Sequence, residues 1–338
     1  MTEDEKVTAA LEAIVSPVFL VGGAVRDKLL GREPHDFDFT TPLLPDEVEA
    51  RAKAAGRHVV TIGKRQGVLT FKVEAEPKRF VQVEVATFRK DGPGRKPVVV
   101  FGGVSLEEDL ARRDFTIGAM ALGHGGEVID PFGGVADLEA GVVRAVGKAE
   151  DRFREDPLRI LRLARFVSTL DFVAEAKTEA AAAKLSHHLL TVSRERVRDE
   201  LEKLLAGTNV RGGLELLART GALAFALPEV AAMVGFDQRS RFHRHDLFEH
   251  TIQVVEGVEA HPDLKLAALL HDIGKVACHQ DRGDHFSFIG HELVSARLAG
   301  RLLEDLHIAG DRVLRIVALV ELHLLESSPL KAADDAAK

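Results

Sequence analysis

The chain has no tryptophan, no tyrosine, one cysteine and a single asparagine, Asn209. The lone Cys278 excludes an intramolecular disulfide and fits a reducing cytoplasm. No apolar run reaches the roughly 18 residues that a membrane helix needs, so no membrane association is expected. The opening residues, MTEDEK, are acidic and lack the basic-then-apolar form of a signal peptide. There is no excess of positive charge either: 45 Lys and Arg stand against 53 Asp and Glu, a formal net charge of −8. That balance gives no global attraction for nucleic acid, so any RNA contact must use a local basic surface. With 18 Phe as the only aromatic residues besides His, polar roles usually filled by tyrosine hydroxyls and asparagine amides are depleted. No repeat of 20–50 residues is visible.

What is present reads as a soluble, globular chain of 338 residues, 46% apolar and 29% charged, long enough for two or three domains. The organising stretch is Val18 to Thr41, VFLVGGAVRDKLLGREPHDFDFTT. Val18 to Val21 predicts a buried strand, Gly22-Gly23 a turn, and the following residues a helix to Leu30, closed by Gly31 and Pro34. The alternation His-Asp-Phe-Asp-Phe then aims Asp36 and Asp38 to one face of a strand and the phenylalanines to the other. Paired carboxylates repel each other but cradle divalent cations well. Asp-X-Asp alone is equally at home on a solvated edge strand; the preceding glycine turn at a strand–helix junction is what points to a triphosphate bound with Mg²⁺. Gly22 and Gly23 permit close backbone approach to a phosphate, and Arg26 one helical turn on can pair with its oxygens. Glu84, between two valines in a predicted strand over 79–87, is a third candidate carboxylate, although an outward Glu on a half-buried strand is also ordinary.

Around these residues the pattern predicts helices over 3–15 and 45–55, strands over 58–62 and 67–74, a basic Gly/Pro loop over 90–97, and a helix capped by Ser105 with Glu108. A hairpin over 120–129 and a helix and strand over 131–146 follow. Arg112-Arg113-Asp114 sets two guanidinium groups beside a carboxylate, either a surface ion pair or a triphosphate contact. From about Gly147 the apolar period becomes helical. One long helix is expected over 151–170, with further helices over 174–187, 193–206 and 210–219, and a final group over 246–259, 263–271, 290–306 and 311–325, after a polar connector at 236–245.

Within the long helix, Asp156 and Arg159 are three apart and share a face. An acid accepts hydrogen bonds and a guanidinium donates them. Cytosine and adenine each offer an amino donor beside a ring-nitrogen acceptor, whereas guanine and uracil present the reverse order. One Asp with one Arg can therefore admit C and A and reject G and U. Arg162 and Arg165 continue the stripe, suited to phosphates. The plain alternative is a helix start with ordinary surface arginines.

The segments LVGGAVRDKLLG, DFDFTT, EEDLARRDFTIGAMA and REDPLRILRLARF, in that order and spacing, make the chain similar to the class II tRNA nucleotidyltransferase and poly(A) polymerase family of the polymerase-β-like superfamily, over about residues 18–200. The resemblance implies an α+β fold: a polymerase-β-like nucleotidyltransferase head with a mixed sheet and helices, then an all-α neck, body and tail. The corresponding bounds are 1–146 for the head, 147–235 for the neck and body with base selection and RNA binding, and 236–330 for an HD-like tail. It implies template-independent addition of CCA to tRNA 3′ ends from CTP and ATP by two-metal-ion transfer, with tRNA, ATP and CTP as partners. Asp36 and Asp38 would then hold Mg²⁺, Gly23, Arg26 and Arg113 would contact the nucleotide, Asp156 and Arg159 would read the base, and Arg162 and Arg165 would assist the triphosphate. The alternatives are a relative with part of this activity (CC-adding, A-adding or poly(A) polymerase), or an HD-type phosphohydrolase acting on RNA ends or nucleotides.

Two departures from the family pattern stand out, the first touching local hydrogen bonding at Gly118 and the second the loop that influences the switch from C to A addition. The family's TINA is here TIGA, without the amide at Gly118, and its Tyr-bearing loop is the shortened Asp91-Gly92-Pro93-Gly94-Arg95. In the tail, His250 followed by His271-Asp272 and Gly274-Lys275 resembles HD-domain metal phosphohydrolases, in which imidazole and carboxylate bind a divalent metal. His279, His285 and His291 enrich the region. The late Asp that usually closes the set is replaced by Glu321-Leu322-His323. This leaves two readings open, a second divalent metal with a secondary phosphohydrolase activity on RNA ends or nucleotides, or a structural helical tail.

Overall fold

The computed structural model describes residues 2–34, 36–76, 79–91, 99–239 and 246–324. The chain packs as two compact units, residues 1–155 and 156–338. In the first, α1 (Glu3–Glu12) leads into β1 (Phe19–Val21), α2 (Gly23–Leu29), β2 (Phe37–Thr41) and α3 (Pro45–Ala54). Then come β3 (Val59–Val60), β4 (Val68–Glu76), β5 (Arg79–Thr87), β6 (Arg89–Asp91), β7 (Val99–Phe101), α4 (Leu106–Ala111), β8 (Ala121–Leu122), β9 (Val128–Ile129), α5 (Gly134–Glu139) and α6 (Ala149–Glu155). Seven strands form one mixed sheet in the order β3-β4-β5-β2-β1-β8-β9, with β2 and β5 parallel and the other pairs antiparallel.

The alternation read from the sequence sets the two faces of this sheet. Phe37 and Phe39 on β2 and Val83 and Val85 on β5 are buried, whereas Asp38 and Glu84 between them are exposed. On the other side of β1, Val21 joins Leu110, Ala119, Ala121 and Val146 in a buried cluster that anchors α4 and β8. The predicted capping box forms: Ser105 Oγ accepts from Glu108 N at 3.1 Å and Glu108 Oε2 accepts from Ser105 N at 2.9 Å, which starts α4. One turn into α4, Asp109 is fully buried. It accepts from Arg89 N at 3.1 Å and from Arg112 Nε at 3.0 Å, and Thr40 Oγ1 donates to it at 3.4 Å. A buried carboxylate needs such partners, and this one ties β2, β6 and α4 together.

The second unit is helical: α7 (Leu158–Leu170), α8 (Ala176–Leu185), α9 (Arg194–Leu205), α10 (Val210–Arg219), α11 (Ala222–Ala226) and α12 (Pro228–Ala231), then α13 (Leu247–Gly257), α14 (Pro262–Leu270), α15 (Lys275–Cys278), α16 (His291–Asp305) and α17 (Gly310–Leu322). A short hairpin, Gln280–Asp281 with Phe286–Ser287, lies between α15 and α16. Ion pairs join its helices: Arg312 reaches both Glu202 at 2.8 Å and Asp263 at 2.7 Å, and Arg211 reaches Glu249 at 2.7 Å.

The single helix expected over 151–170 is two. α6 ends at Glu155 and α7 begins at Leu158. Pro157 has no N–H to continue the ladder and disfavours helical geometry at the residue before it. Asp156 therefore stands at a helix entrance and not in mid-helix. The basic loop expected over 90–97 falls mostly outside the described residues, as do residues 240–245 of the polar connector.

Asp109→Ala leaves Arg112 and the Arg89 N–H without their buried acceptor. Urea unfolding is expected to show a loss of about 3–5 kcal/mol, whereas Asp109→Asn, which keeps an acceptor oxygen, loses less.

Candidate active site

On the exposed face of the sheet, Asp38 is the register partner of Glu84 across the parallel β2–β5 pair. Asp36 sits one step before β2 and is also exposed. Partial loss of hydration, and then the charges of Glu84 and Asp36, raise the Asp38 carboxyl above its ordinary range, while Arg113 opposes them. The three acids expected from the sequence thus share one electrostatic neighbourhood. Oxygen-only donors that repel one another fit a hard divalent cation, which removes the repulsion by taking their oxygens as ligands.

The glycine turn closes the other side. Gly22 has φ +72°, and a Cβ built there would lie 2.9 Å from Arg113 Nη1. Only glycine lets the guanidinium come this close. Arg113 follows α4 and donates through Nη1 to the Gly118 carbonyl at 3.3 Å. That bond is to backbone, so the missing side-chain amide at Gly118 does not remove it. Arg26 donates to Asp27, Nε to Oδ1 at 2.9 Å, and its Nη2 lies 3.6 Å from where a Gly23 Cβ would be. Arg26, Arg113, Gly22 and Gly23 therefore line one corner beside the carboxylates.

In the second unit, Arg159, Arg162 and Arg165 lie half-buried along one side of α7. Arg165 is paired with Glu200 of α9 at 2.7 Å and stacks on Phe166 at 4.1 Å. Asp156 accepts two bonds from Arg196, Nη2 to Oδ2 at 2.6 Å and Nη1 to Oδ1 at 3.2 Å. Its Oδ1 also accepts from Leu158 N at 3.2 Å, and its carbonyl accepts from Arg159 N at 3.0 Å. The broken helix thus still keeps Asp156 and Arg159 within one turn. Arg196 was not singled out from the sequence: nothing in local spacing links residues 156 and 196, and only the packing of α7 on α9 brings them together.

The tail contains a second cluster. His250 on α13 and His271-Asp272 after α14 converge, His271 Nε2 lying 2.9 Å and His250 Nε2 3.3 Å from Asp272 Oδ2. His291 at the start of α16 and His323 at the end of α17 join from the other side, 3.1 Å and 3.6 Å from Asp272 Oδ1. These atoms form two groups with metal-binding spacing that share Asp272. Gly274 makes this convergence possible, since a Cβ there would lie 2.6 Å from the His291 carbonyl oxygen. His323 stands where the sequence lacked a late Asp. His279 and His285 are bound elsewhere, to Val276 O at 2.9 Å and Asp284 Oδ1 at 2.6 Å. A cavity of about 630 Å³ opens onto the cluster, bordered also by Lys275, Phe288 and Ile289.

An acidic strand face with a glycine–arginine corner defines a metal-dependent nucleotidyltransferase head. Residues 18–144 match the poly A polymerase head domain, residues 171–234 the probable RNA and SrmB-binding site of polymerase A, and residues 247–335 the HD domain. The chain is 37% identical over 330 residues to the A-adding tRNA nucleotidyltransferase of Deinococcus radiodurans, covering 94% of this chain and 70% of that one. It is 42% identical over 219 residues to the CCA-adding enzyme of Geobacillus kaustophilus, 64% of this chain and 52% of the relative, and so spans about half that protein's length. Its fold resembles the crystal structure of the Bacillus stearothermophilus CCA-adding enzyme in complex with CTP, with a TM-score of 0.68 at 30% identity over 96% of this chain and 70% of that one. The chain belongs to the tRNA nucleotidyltransferase and poly(A) polymerase family. These relatives speak for nucleotidyl transfer rather than for the phosphohydrolase alternative.

Gly22→Ala forces a side chain into a conformation costing about 1–3 kcal/mol and displaces Arg113. Nucleotide titration is expected to show CTP affinity falling by about tenfold or more, the loss of one charge-assisted contact, with helical content by circular dichroism retained.

Proposed function

We propose that this protein adds C and A nucleotides to tRNA 3′ ends from CTP and ATP without a nucleic-acid template. The observation that carries the reading is the Asp38–Glu84 register with Asp36 beside it, on an open face next to the Gly22 and Arg113 corner. In the reaction, the terminal 3′ oxygen of the RNA forms a bond to the α-phosphorus as the bond to pyrophosphate breaks. Asp36 and Asp38 hold Mg²⁺ there, and Glu84 completes the acidic face. When bound, Mg²⁺ offsets the triphosphate charge and favours the ionised hydroxyl. Arg113 and Arg26 pair with phosphate oxygens beside the glycine turn.

Asp156 and Arg159 read the incoming base. Arg196 holds the Asp156 carboxylate by two bonds, which fixes the acceptor's direction before a base arrives. Arg162 and Arg165 favour the triphosphate, Arg165 by completing the α7–α9 ion pair. In the tail, His250, His271 and Asp272 hold a second divalent ion. A tRNA substrate and nucleoside triphosphates fit a cytoplasmic location.

The experiment is primer extension on tRNAs ending before C74, at C74 and at C75, each with CTP, ATP, GTP or UTP alone and with CTP and ATP together, read as product length on a gel. The expected products are two C additions followed by one A. Addition of A alone to the C75 end would narrow the activity to A addition, and no extension of any substrate would reject the proposal. Asp38→Ala is expected to lower addition by at least about 10³-fold, the scale of a lost charge-stabilising group. Asp156→Ala and Arg159→Ala are expected to admit GTP or UTP while tRNA binding by gel shift changes little. Arg196→Ala is expected to relax base choice in the same direction, and unchanged C/A selection in all three would remove the base-reading assignment.

A further inference from the structure

Helix α9 bears charged side chains on two opposite sides, because a step of two residues turns about 200° round a helix. Arg196 and Glu200 face α7, where they meet Asp156 at 2.6 Å and Arg165 at 2.7 Å. Arg194, Arg198 and Glu202, successive members of a four-residue spacing, face the tail. Arg194 Nε donates to Asp305 Oδ2 of α16 at 2.6 Å, and its Nη1 and Nη2 donate to the Ala226 carbonyl at 3.1 Å each. Arg198 Nη1 donates to the His307 carbonyl at 2.7 Å. Glu202 is paired with Arg312 of α17 at 2.8 Å, and Arg312 also reaches Asp263 of α14 at 2.7 Å.

The acceptor of Arg198 has a special backbone. α16 closes on His307, whose φ is +54°. His307 N donates to Glu304 O at 2.9 Å and Ile308 N to Leu303 O at 3.0 Å, the pair of bonds for which a helix end usually employs glycine. A histidine holds that left-handed conformation here, and its carbonyl is the one that Arg198 takes. On its apolar side α9 buries Val197, Leu201, Leu204 and Leu205. Such packing is non-directional and tolerates small slips along the helix axis. The bonds of Arg194 and Arg198 are directional and charge-assisted, so they remove that freedom. The position of Arg196, and with it the two bonds on Asp156, is thereby tied to the end of α16.

We infer that Arg194 and Arg198 are positioning residues for base selection: by anchoring α9 on the C-terminal end of α16 they fix Arg196, and through it the direction in which Asp156 accepts. The inference rests on the proposed reading of the base by Asp156 and Arg159. It makes the tail helices a support of nucleotide choice, separately from the histidine cluster. Both arginines act through Arg196 and not by touching the nucleotide.

The test uses the full chain and measures steady-state addition of CTP or UTP to a tRNA that lacks its last two nucleotides. In Arg198→Ala the ratio of kcat/KM for CTP over UTP is expected to fall about tenfold, the scale of a misplacement under an ångström, with KM for CTP raised and kcat nearly kept. Arg194→Ala moves the ratio in the same direction. Arg198→Ala added to Arg196→Ala changes it little further, because both act through one contact. His307→Gly keeps the left-handed conformation and the carbonyl, so the ratio stays. His307→Val disfavours that conformation, so the ratio falls. Both variants lose the ring that stands 3.6 Å from Glu195, so the difference between them isolates the carbonyl and decides the point even where Arg198→Ala fails to fold. Equal losses with CTP and UTP, a loss in His307→Gly that matches His307→Val, or full additivity of Arg198→Ala with Arg196→Ala would overturn the inference. An unchanged ratio in Arg198→Ala beside a relaxed one in Asp156→Ala would overturn the part played by the tail and leave base reading standing. An unchanged ratio in Asp156→Ala as well would overturn both.

Discussion

The side-by-side placement of Asp38 and Glu84 on parallel neighbouring strands is the constraint around which the head is arranged. Like charges opposite one another destabilise a sheet. Here they are borne by strands with firm apolar backing, Phe37 and Phe39 behind one and Val83 and Val85 behind the other. Burying such side chains contributes roughly 1.5–3 kcal/mol each, well above the cost of a partly hydrated charge pair. An edge strand would not hold the acids in register so firmly. The period of two that sends the apolar residues inward is the same period that sends both carboxylates outward, so stability of the strand and exposure of the acids have one cause.

Neighbouring groups are then set with reference to that face. Asp109, buried at the start of α4, accepts from both Arg89 N and Arg112 and so fixes the approach of the chain to Arg113. Arg113 reaches over a residue that must be glycine and anchors itself on a backbone carbonyl. A guanidinium held this way answers the acids without neutralising them, and it leaves their oxygens for a cation. In the second unit the same economy appears in another form: Arg196 clamps Asp156 at a helix entrance that exists because Pro157 interrupts the helix.

Much of this was legible in the sequence because it is local. The strand–glycine–helix turn, the alternation around Asp38, the Ser105–Glu108 cap and the strand bearing Glu84 all follow from spacing within a few residues. What was not legible depends on partners far apart in the chain. Arg196 reaches Asp156 only through helix packing. His323 lies in the stretch where the late Asp is missing, but its place in the ring around Asp272 exists only because α17 packs against α16 and α14. The break at Pro157 is a different case. The apolar period runs through it on both sides and suggested one helix, whereas the missing N–H of a single residue decides the local geometry.

The head and tail differ in donor type: carboxylates alone stand together in the head, and imidazoles gather around one carboxylate in the tail. The head assignment underlies everything proposed about catalysis, and it can be tested without turnover. Mn²⁺ in place of Mg²⁺, in a chain whose tail is silenced by Asp272→Asn, reports binding directly through its paramagnetic resonance signal. The account predicts bound Mn²⁺ that tightens when CTP is added and is lost in Asp38→Asn. Equal Mn²⁺ binding with and without the Asp38 carboxylate, in the presence of CTP, would contradict it.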